Sequence, residues 1–357
     1  MIPTMLIDTQ NPVLVTGATG YVAGWIVQKL LEAGVTVHAA VRNPDAPAKV
    51  GHLVELAASL PGTLKLFKAD LLDEGSYDAA IQGCRIVFHT ASPFTLNVKD
   101  AQKDLVDPAV LGTRNVLSSA NRTASVERVV LTSSCAAIYG DNADLKEAPH
   151  QKVDESHWNR SSSLTHQAYS YSKTVAEKAA WEMADRQNRW RLVVINPSFV
   201  IGPGVSAQST SESFNLFRQF GDGRLKAGVP DFGIGAVDVR DLADAHLRAA
   251  YIDQAEGRHI ISGHNTNFLE MAKTLQPRFG NQFPIPRRTL PKWLVWLAGP
   301  LSDKTLTRKI VSRNVGYAWQ GDNLKSREAL GVNYRPLAES TNEFFHQLVE
   351  SGQLRAN

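Results

Sequence analysis

Cysteine is almost missing from this chain: its 357 residues include two, Cys84 and Cys135, with no paired spacing and no histidine cluster beside them. That excludes a disulfide framework, argues against a metal site of the zinc type, and fits a reducing, cytoplasmic setting. Long apolar runs are missing too. The most apolar stretch, residues 290–300 with Trp293 and Trp296, is about half of the ~20 residues a membrane span requires. It is expected to be a short covering helix, with a dimer seam or a monotopic membrane contact as the other readings. No basic block exceeds Arg287-Arg288 and the net charge is +3, so a nucleic-acid partner is not expected, although the balance still favours an anionic cofactor. Residues 1–11 lack the basic start and apolar core of a signal peptide and read as a loose leader.

What is present suits a sizeable folded core. Hydrophobic residues reach 43% against 20% charged, which sets disorder aside, and the length favours a large α/β domain with a smaller lobe appended. Short β-branched runs at 13–16, 35–41, 64–68, 86–89, 129–132 and 192–196 alternate with helical patterns at 21–33, 49–59, 76–82, 101–121 and 168–188. That rhythm predicts an α/β fold with a doubly wound parallel sheet of the Rossmann type over residues 12–203. After Pro203-Gly204 the alternation fails, and residues 204–357 are expected to form mostly a substrate-binding lobe. The stretch near 236–265, with one more strand at 258–262, should return to the first domain, and a last amphipathic helix is expected near 337–349.

The first strand runs into Thr16-Gly17-Ala18-Thr19-Gly20-Tyr21-Val22-Ala23 and then a helix. A dinucleotide needs glycine there, because the chain must turn sharply and its backbone must approach a pyrophosphate lying on the N–H groups of the helix start. Gly17 and Gly20 meet the first two glycine positions and Ala23 takes the third; Thr16, Thr19, Tyr21 and Val22 complete the expected contacts. The second strand ends at Arg42, where an NAD enzyme would offer a carboxylate to the ribose 2′-hydroxyl; arginine there favours the 2′-phosphate of NADP. Asp70 and Leu71 should border the adenine, and Thr90, Ala91 and Ser92 the ribose and nicotinamide.

Tyr169 and Lys173, four residues apart, share one helix face. A free phenol with a pKa near ~10 needs a neighbouring cation to exchange a proton at neutral pH, and Lys173 is the available one. Ser134, at the end of the fifth strand, could hydrogen-bond a substrate oxygen. Cys135 is expected to pack near the site, His89 to sit in the core, and His150, His157 and His166 to occupy a polar loop without a metal.

On these residues, with Val41-Arg42-Asn43-Pro44, Phe88-His89-Thr90-Ala91-Ser92-Pro93, Arg128-Val129-Val130-Leu131-Thr132-Ser133-Ser134, Ala176-Glu177-Lys178-Ala179-Ala180-Trp181 and Asn196-Pro197, the chain resembles the extended short-chain dehydrogenase/reductases. Within them it is similar to the branch of dihydroflavonol 4-reductase, cinnamoyl-CoA reductase and fungal aldehyde and methylglyoxal reductases, from about Val13 to the C-terminal helix. The resemblance implies NADPH as cofactor and reduction of an aldehyde or ketone. It makes Tyr169 the proton donor, Lys173 the residue that holds the nicotinamide ribose and favours phenolate, and Ser134 the residue that orients the carbonyl. It also sets Pro197, Ser198, Phe199 and Val200 against the carboxamide. Steroid-type dehydrogenation stays an alternative. Nucleotide-sugar epimerases and dehydratases fit less well, because Ile234 stands where epimerases carry a diphosphate-clamping arginine and no carboxylate follows Ser134. A non-catalytic NADP sensor would have lost the tyrosine or the lysine, and both are present. Substrate contacts are expected from Phe94, Ser134, Ala136, Tyr169, Phe199, Val205, Phe214 and Phe232, in a monomer or homodimer acting on an apolar or aromatic carbonyl.

Overall fold

The computed structural model describes residues 5–92, 98–206, 211–302 and 305–355. Its first half alternates strand and helix: β1 (Val13–Thr16), α1 (Tyr21–Glu32), β2 (Thr36–Val41), α2 (Pro47–Ser59), β3 (Thr63–Lys68), α3 (Asp78–Ile81), β4 (Ile86–His89), α4 (Asp107–Arg122), β5 (Arg128–Thr132), α5 (Ala168–Ala184) and β6 (Arg191–Pro197). The second half holds β7 (Phe199–Ile201), α6 (Glu212–Gly221), β8 (Val229–Pro230), β9 (Gly233–Asp238), α7 (Val239–Tyr251), β10 (Gly257–Ile261) and β11 (His264–Asn267). After these come α8 (Phe268–Phe279), β12 (Thr289–Leu290), α9 (Lys292–Ser302), α10 (Arg308–Asn314), α11 (Leu324–Ala329) and α12 (Leu337–Glu350).

Seven parallel strands form the main sheet in the order β10-β6-β5-β4-β1-β2-β3. Successive side chains of a strand point to opposite faces, and both faces are covered here. Val13 and Val15 pack with α1, α2 and α7 on one side, while Leu14 packs with α3, α4 and Ala180 of α5 on the other. This is the Rossmann-like α/β arrangement. The chain lays β1, β2 and β3 outward in one direction, then returns to place β4, β5 and β6 on the other side of β1, so a crevice opens beyond the carboxyl ends of β1 and β4. Register carries Thr16 beside His89 at that reversal.

Several expectations need correction. One strand adds to the expected set: β9 pairs with β7 and β11 in a second, three-stranded sheet. Gly233 and Gly235 lie against the chain at 317–319, where a Cβ would come within 2.5 Å of Trp319 N and 2.4 Å of the Trp319 ring. Glycine there reflects close packing rather than a turn. The helix expected over 101–121 begins as a wide π turn, Gln102–Val106, and becomes α-helical at Asp107, next to Pro108, whose ring removes one N–H from the ladder. Residues 5–11 are not a loose leader, since Met5 and Ile7 pack on the α1/α7 core and Asp8 pairs with Arg85 at 3.1 Å.

The two halves of the molecule are joined through Asp141, whose side chain is completely buried. The carboxylate accepts from Arg313 Nε at 2.5 Å, Asn314 Nδ2 at 2.7 Å, Gln167 Nε2 at 2.6 Å and His166 Nε2 at 2.9 Å. His166 is therefore a buried partner of this carboxylate rather than a member of a solvated loop. Burial alone would raise the Asp141 pKa, but the hydrogen bonds from His166, Asn314, Arg313 and Gln167 prevail and hold it below its ordinary value. Removing one partner of a buried pair costs about 3–5 kcal/mol, so Asp141→Ala is expected to lose that much stability in urea unfolding at neutral pH. The pKa is depressed in the folded state, so the contribution is whole above the unfolded value near ~3.9 and fades as pH falls through the lower folded one. The wild-type and Asp141→Ala unfolding curves should therefore converge in acid.

Candidate active site

The phosphate turn is built by a close approach of two backbones. Gly17 has φ +63°, a left-handed conformation that glycine adopts without penalty, and a Cβ there would stand 3.0 Å from Cα of Ala91. Thr16 pins the two segments together: its hydroxyl accepts the N–H groups of Thr90 at 3.1 Å and Ala91 at 3.0 Å, while Thr90 Oγ1 donates to the Thr16 carbonyl at 2.5 Å. The same hydroxyl lies 3.0 Å from His89 Nδ1. Burial, with the Lys173 ammonium nearby, pushes the His89 imidazole down to about 3, so it stays neutral and can accept the threonine proton. No side chain caps the start of α1, whose first N–H groups have no acceptor within the helix. Thr19 and Gly20 are exposed there, while Tyr21 turns its ring inward and donates its hydroxyl to the Gly202 carbonyl at 2.5 Å. Tyr21 thus offers a ligand only its backbone, whereas Val22 is half-buried.

Arg42 stands just past the carboxyl end of β2, exposed and without an ion pair among the described residues. Asp70 uses its carboxylate to hold the Leu72 N–H at 2.9 Å. Leu71 packs over Gly112 and lines a cavity with Ala91, Ser92 and Lys173. These features fit NADP(H): a cradle that a Cβ would obstruct, an uncapped helix start, and an unpaired guanidinium where a 2′-phosphate would need one.

Tyr169 and Lys173 lie in the first turns of α5, which begins at Gln167, a residue held at φ +52° by hydrogen bonds from its side chain to Gly140 O and Asp141. The Lys173 Nζ is 5.8 Å from the centre of the Tyr169 ring and donates to Ser92 Oγ at 2.9 Å. Tyr169 is 49% exposed, which leaves the phenol accessible to a small molecule. Ser134 caps the turn Cys135–Ala137, which packs against α5; its hydroxyl oxygen accepts from Ala136 N at 3.1 Å and keeps its own proton to donate. Cys135 is buried, donates its thiol to the Asn196 carbonyl at 3.2 Å, and has its pKa raised by that burial.

Beneath this surface is a group that the motif reading did not assign. Glu177 follows Lys173 by one helical turn and is buried; it accepts from Ser133 Oγ at 2.5 Å, Asn196 Nδ2 at 2.8 Å and Arg258 Nε at 2.6 Å. Asn196 also reaches the Ser134 carbonyl at 3.2 Å. The spacing Tyr169, Lys173, Glu177 on one face was the available signal.

The residues expected to contact substrate divide. Ala136 and Phe199 are half-buried beside the serine turn and on β7. Val205 faces Gly24 of α1, and Phe232 stacks on Phe268 with ring centres 5.5 Å apart. Phe214 is a correction: it is fully buried against Tyr21 and Phe344 in the core of the second lobe and cannot meet a ligand. Phe94 lies outside the described residues. Pro197 is buried, Ser198 N is bonded to Ile261 O at 3.1 Å, and Val200 pairs with Val237, so this segment crosses between the two sheets.

Comparison with known proteins agrees with this geometry. Residues 13–262 match the model of the NAD dependent epimerase/dehydratase family. Cinnamoyl-CoA reductase CAD2 of Medicago truncatula is 41% identical over 269 residues, 74% of this chain and 80% of that protein. Dihydroflavonol 4-reductase of Gerbera hybrida is 34% identical over 277 residues, 76% and 74% of the two chains. Yeast methylglyoxal/isovaleraldehyde reductase Gre2, solved with NADPH, superposes with a TM-score of 0.77 at 27% identity, covering 96% of this chain and 99% of that one. The chain belongs to the NAD dependent epimerase/dehydratase family, within the extended short-chain dehydrogenase/reductases and on the branch that holds these reductases.

Proposed function

We propose that the chain reduces an aldehyde or ketone to the alcohol at the expense of NADPH, with Tyr169 donating the proton. It is an NADP-dependent oxidoreductase of the reductase branch; what the proposal adds is the assignment of roles. One observation carries it: Tyr169 and Lys173 share a face of α5, the lysine is tied to Ser92 at the carboxyl edge of the sheet, and the turn capped by Ser134 packs against the same helix.

Bound NADPH would supply the hydride to the carbonyl carbon. The protein's part is positional and electrostatic. Ser134 donates its free proton to the carbonyl oxygen and fixes its direction, and Tyr169 delivers the proton that oxygen needs as it becomes an alcohol. Lys173, a cation beside the phenol, stabilises the negative charge left on the tyrosine oxygen, and Ser92 holds the ammonium in place. The first N–H groups of α1 would carry the pyrophosphate and Arg42 the 2′-phosphate. Of the expected substrate contacts, Ala136, Phe199, Val205 and Phe232 remain as candidates; their apolar chemistry suits an aromatic or aliphatic carbonyl compound.

The direct test is oxidation of NADPH at 340 nm against a panel of aldehydes, ketones and diketones, where turnover supports the reading and silence with every carbonyl rejects it. Tyr169→Phe should lower kcat by about 100- to 10,000-fold, with NADPH affinity by fluorescence titration unchanged; full activity would remove the tyrosine from its role. Arg42→Asp should weaken NADPH binding by about 10- to 100-fold, the size of a lost charged hydrogen bond, and shift preference toward NADH. An unaltered cofactor ratio would place the phosphate elsewhere.

A further inference from the structure

A surface helix of a globular protein ordinarily turns polar side chains outward, and α9 does the reverse. Its inward positions include Val295, buried with Val311 and Val315, and Gly299, where a Cβ would come 3.0 Å from the Leu306 side chain. Its outward positions are Trp293, Trp296, Leu297 and Leu301, exposed by 65%, 36%, 51% and 90%. Their spacing of three to four residues gathers them on one side of the helix. After Lys292 the helix carries no charge at all up to Ser302. The stretch read from sequence as a covering helix therefore covers a little core with one side and shows solvent an apolar ridge with the other.

Cations flank this ridge in the sequence: residues 287–312 carry six, Arg287, Arg288, Lys292, Lys304, Arg308 and Lys309, against one carboxylate, Asp303. Among the described residues, Arg287, Arg288, Lys292, Arg308 and Lys309 form no ion pair. The Arg308 guanidinium lies 4.5 Å from the centre of the Trp296 ring, so positive charge sits directly on the aromatic ridge. Lys292 Nζ donates to the Ser312 carbonyl at 2.9 Å and anchors the start of α9 to α10.

We infer that the outward face of α9 docks on an anionic lipid surface, its tryptophans and leucines entering the headgroup boundary and the flanking cations meeting the lipid charge. No helix among the described residues is long and apolar enough to cross a membrane, so the contact is peripheral. Tryptophan suits that boundary because its ring is apolar and its N–H is wet. Charge selects lipid over a second copy of the chain: a twofold contact would press this patch against itself and set like charges face to face, whereas anionic headgroups neutralise them.

Flotation of the full-length protein with vesicles tests this. The protein should float with vesicles of phosphatidylcholine and phosphatidylserine in equal parts and not with phosphatidylcholine alone, and added salt should release it. The variant W293S/L301S, altered only at exposed positions, should bind these vesicles at least about tenfold more weakly. Lys309→Ala should bind about fivefold more weakly, and both variants should oxidise NADPH at the wild-type rate. Absence of flotation with the phosphatidylserine vesicles overturns the inference, as does equal binding of W293S/L301S or equal binding to phosphatidylcholine alone. A wild-type dimer in sedimentation velocity that W293S/L301S converts to monomer also overturns it, assigning the ridge to a second copy.

Discussion

Glu177 places a negative charge beneath the candidate site, and the arrangement of that site depends on its partners. Burying a carboxylate is costly unless it is paired and fully hydrogen-bonded. Here Arg258 on β10 supplies the charge, while Ser133 after β5, Asn196 on β6 and the Trp181 indole on α5 itself supply further donors. Three strands and α5 are thereby tied at a single point directly below Lys173. Arg258 in turn lies 3.9 Å from the centre of the Trp158 ring and donates to the carbonyls of Glu155 and His157, which fastens the segment leading to α5. The seventh strand, contributed by residues well after the others, thus takes part in the arrangement of the site.

A second constraint is steric. Gly17 allows the turn after β1 to touch the turn after β4, and Thr16 uses a single hydroxyl to hold both. Because β1 and β4 are adjacent at the reversal of strand order, the same contact that seals the sheet also shapes the cleft. The neutral His89 completes this arrangement from below, where its imidazole packs in the core and orients the Thr16 hydroxyl.

Much of this was legible in the chain because it rests on local chemistry. Alternating β-branched runs located the strands of the parallel sheet to within two residues, and the pairing of Gly17 with Gly20 marked the turn. What escaped depends on contacts between distant residues. Nothing near Gly233 or Gly235 signals that Trp319 will lie across them, so β9 is not among the strands the sequence marks. His166 looks like a member of a polar loop until it pairs with Asp141, which Arg313 and Asn314 reach from α10. Phe214 lies in the stretch where substrate-facing loops are expected, but an aromatic ring suits a core as well as a pocket, and here Tyr21 and Phe344 enclose it. The apolar run at 290–300 announced a helix correctly; which side it would show to water was decided by α10.

The bond between Asp141 and Arg313 spans 172 residues of chain, and this sets an order of events during synthesis. A ribosome adding about 5–20 residues per second needs on the order of ten seconds to travel between the two positions. At the start of that interval only the first five strands have been made and β6 joins them within it, while the start of α5 still lacks its distant anchor. The nascent polypeptide therefore holds the glycine turn after β1 well before the start of α5 gains its anchor, which arrives only with the last third of the chain.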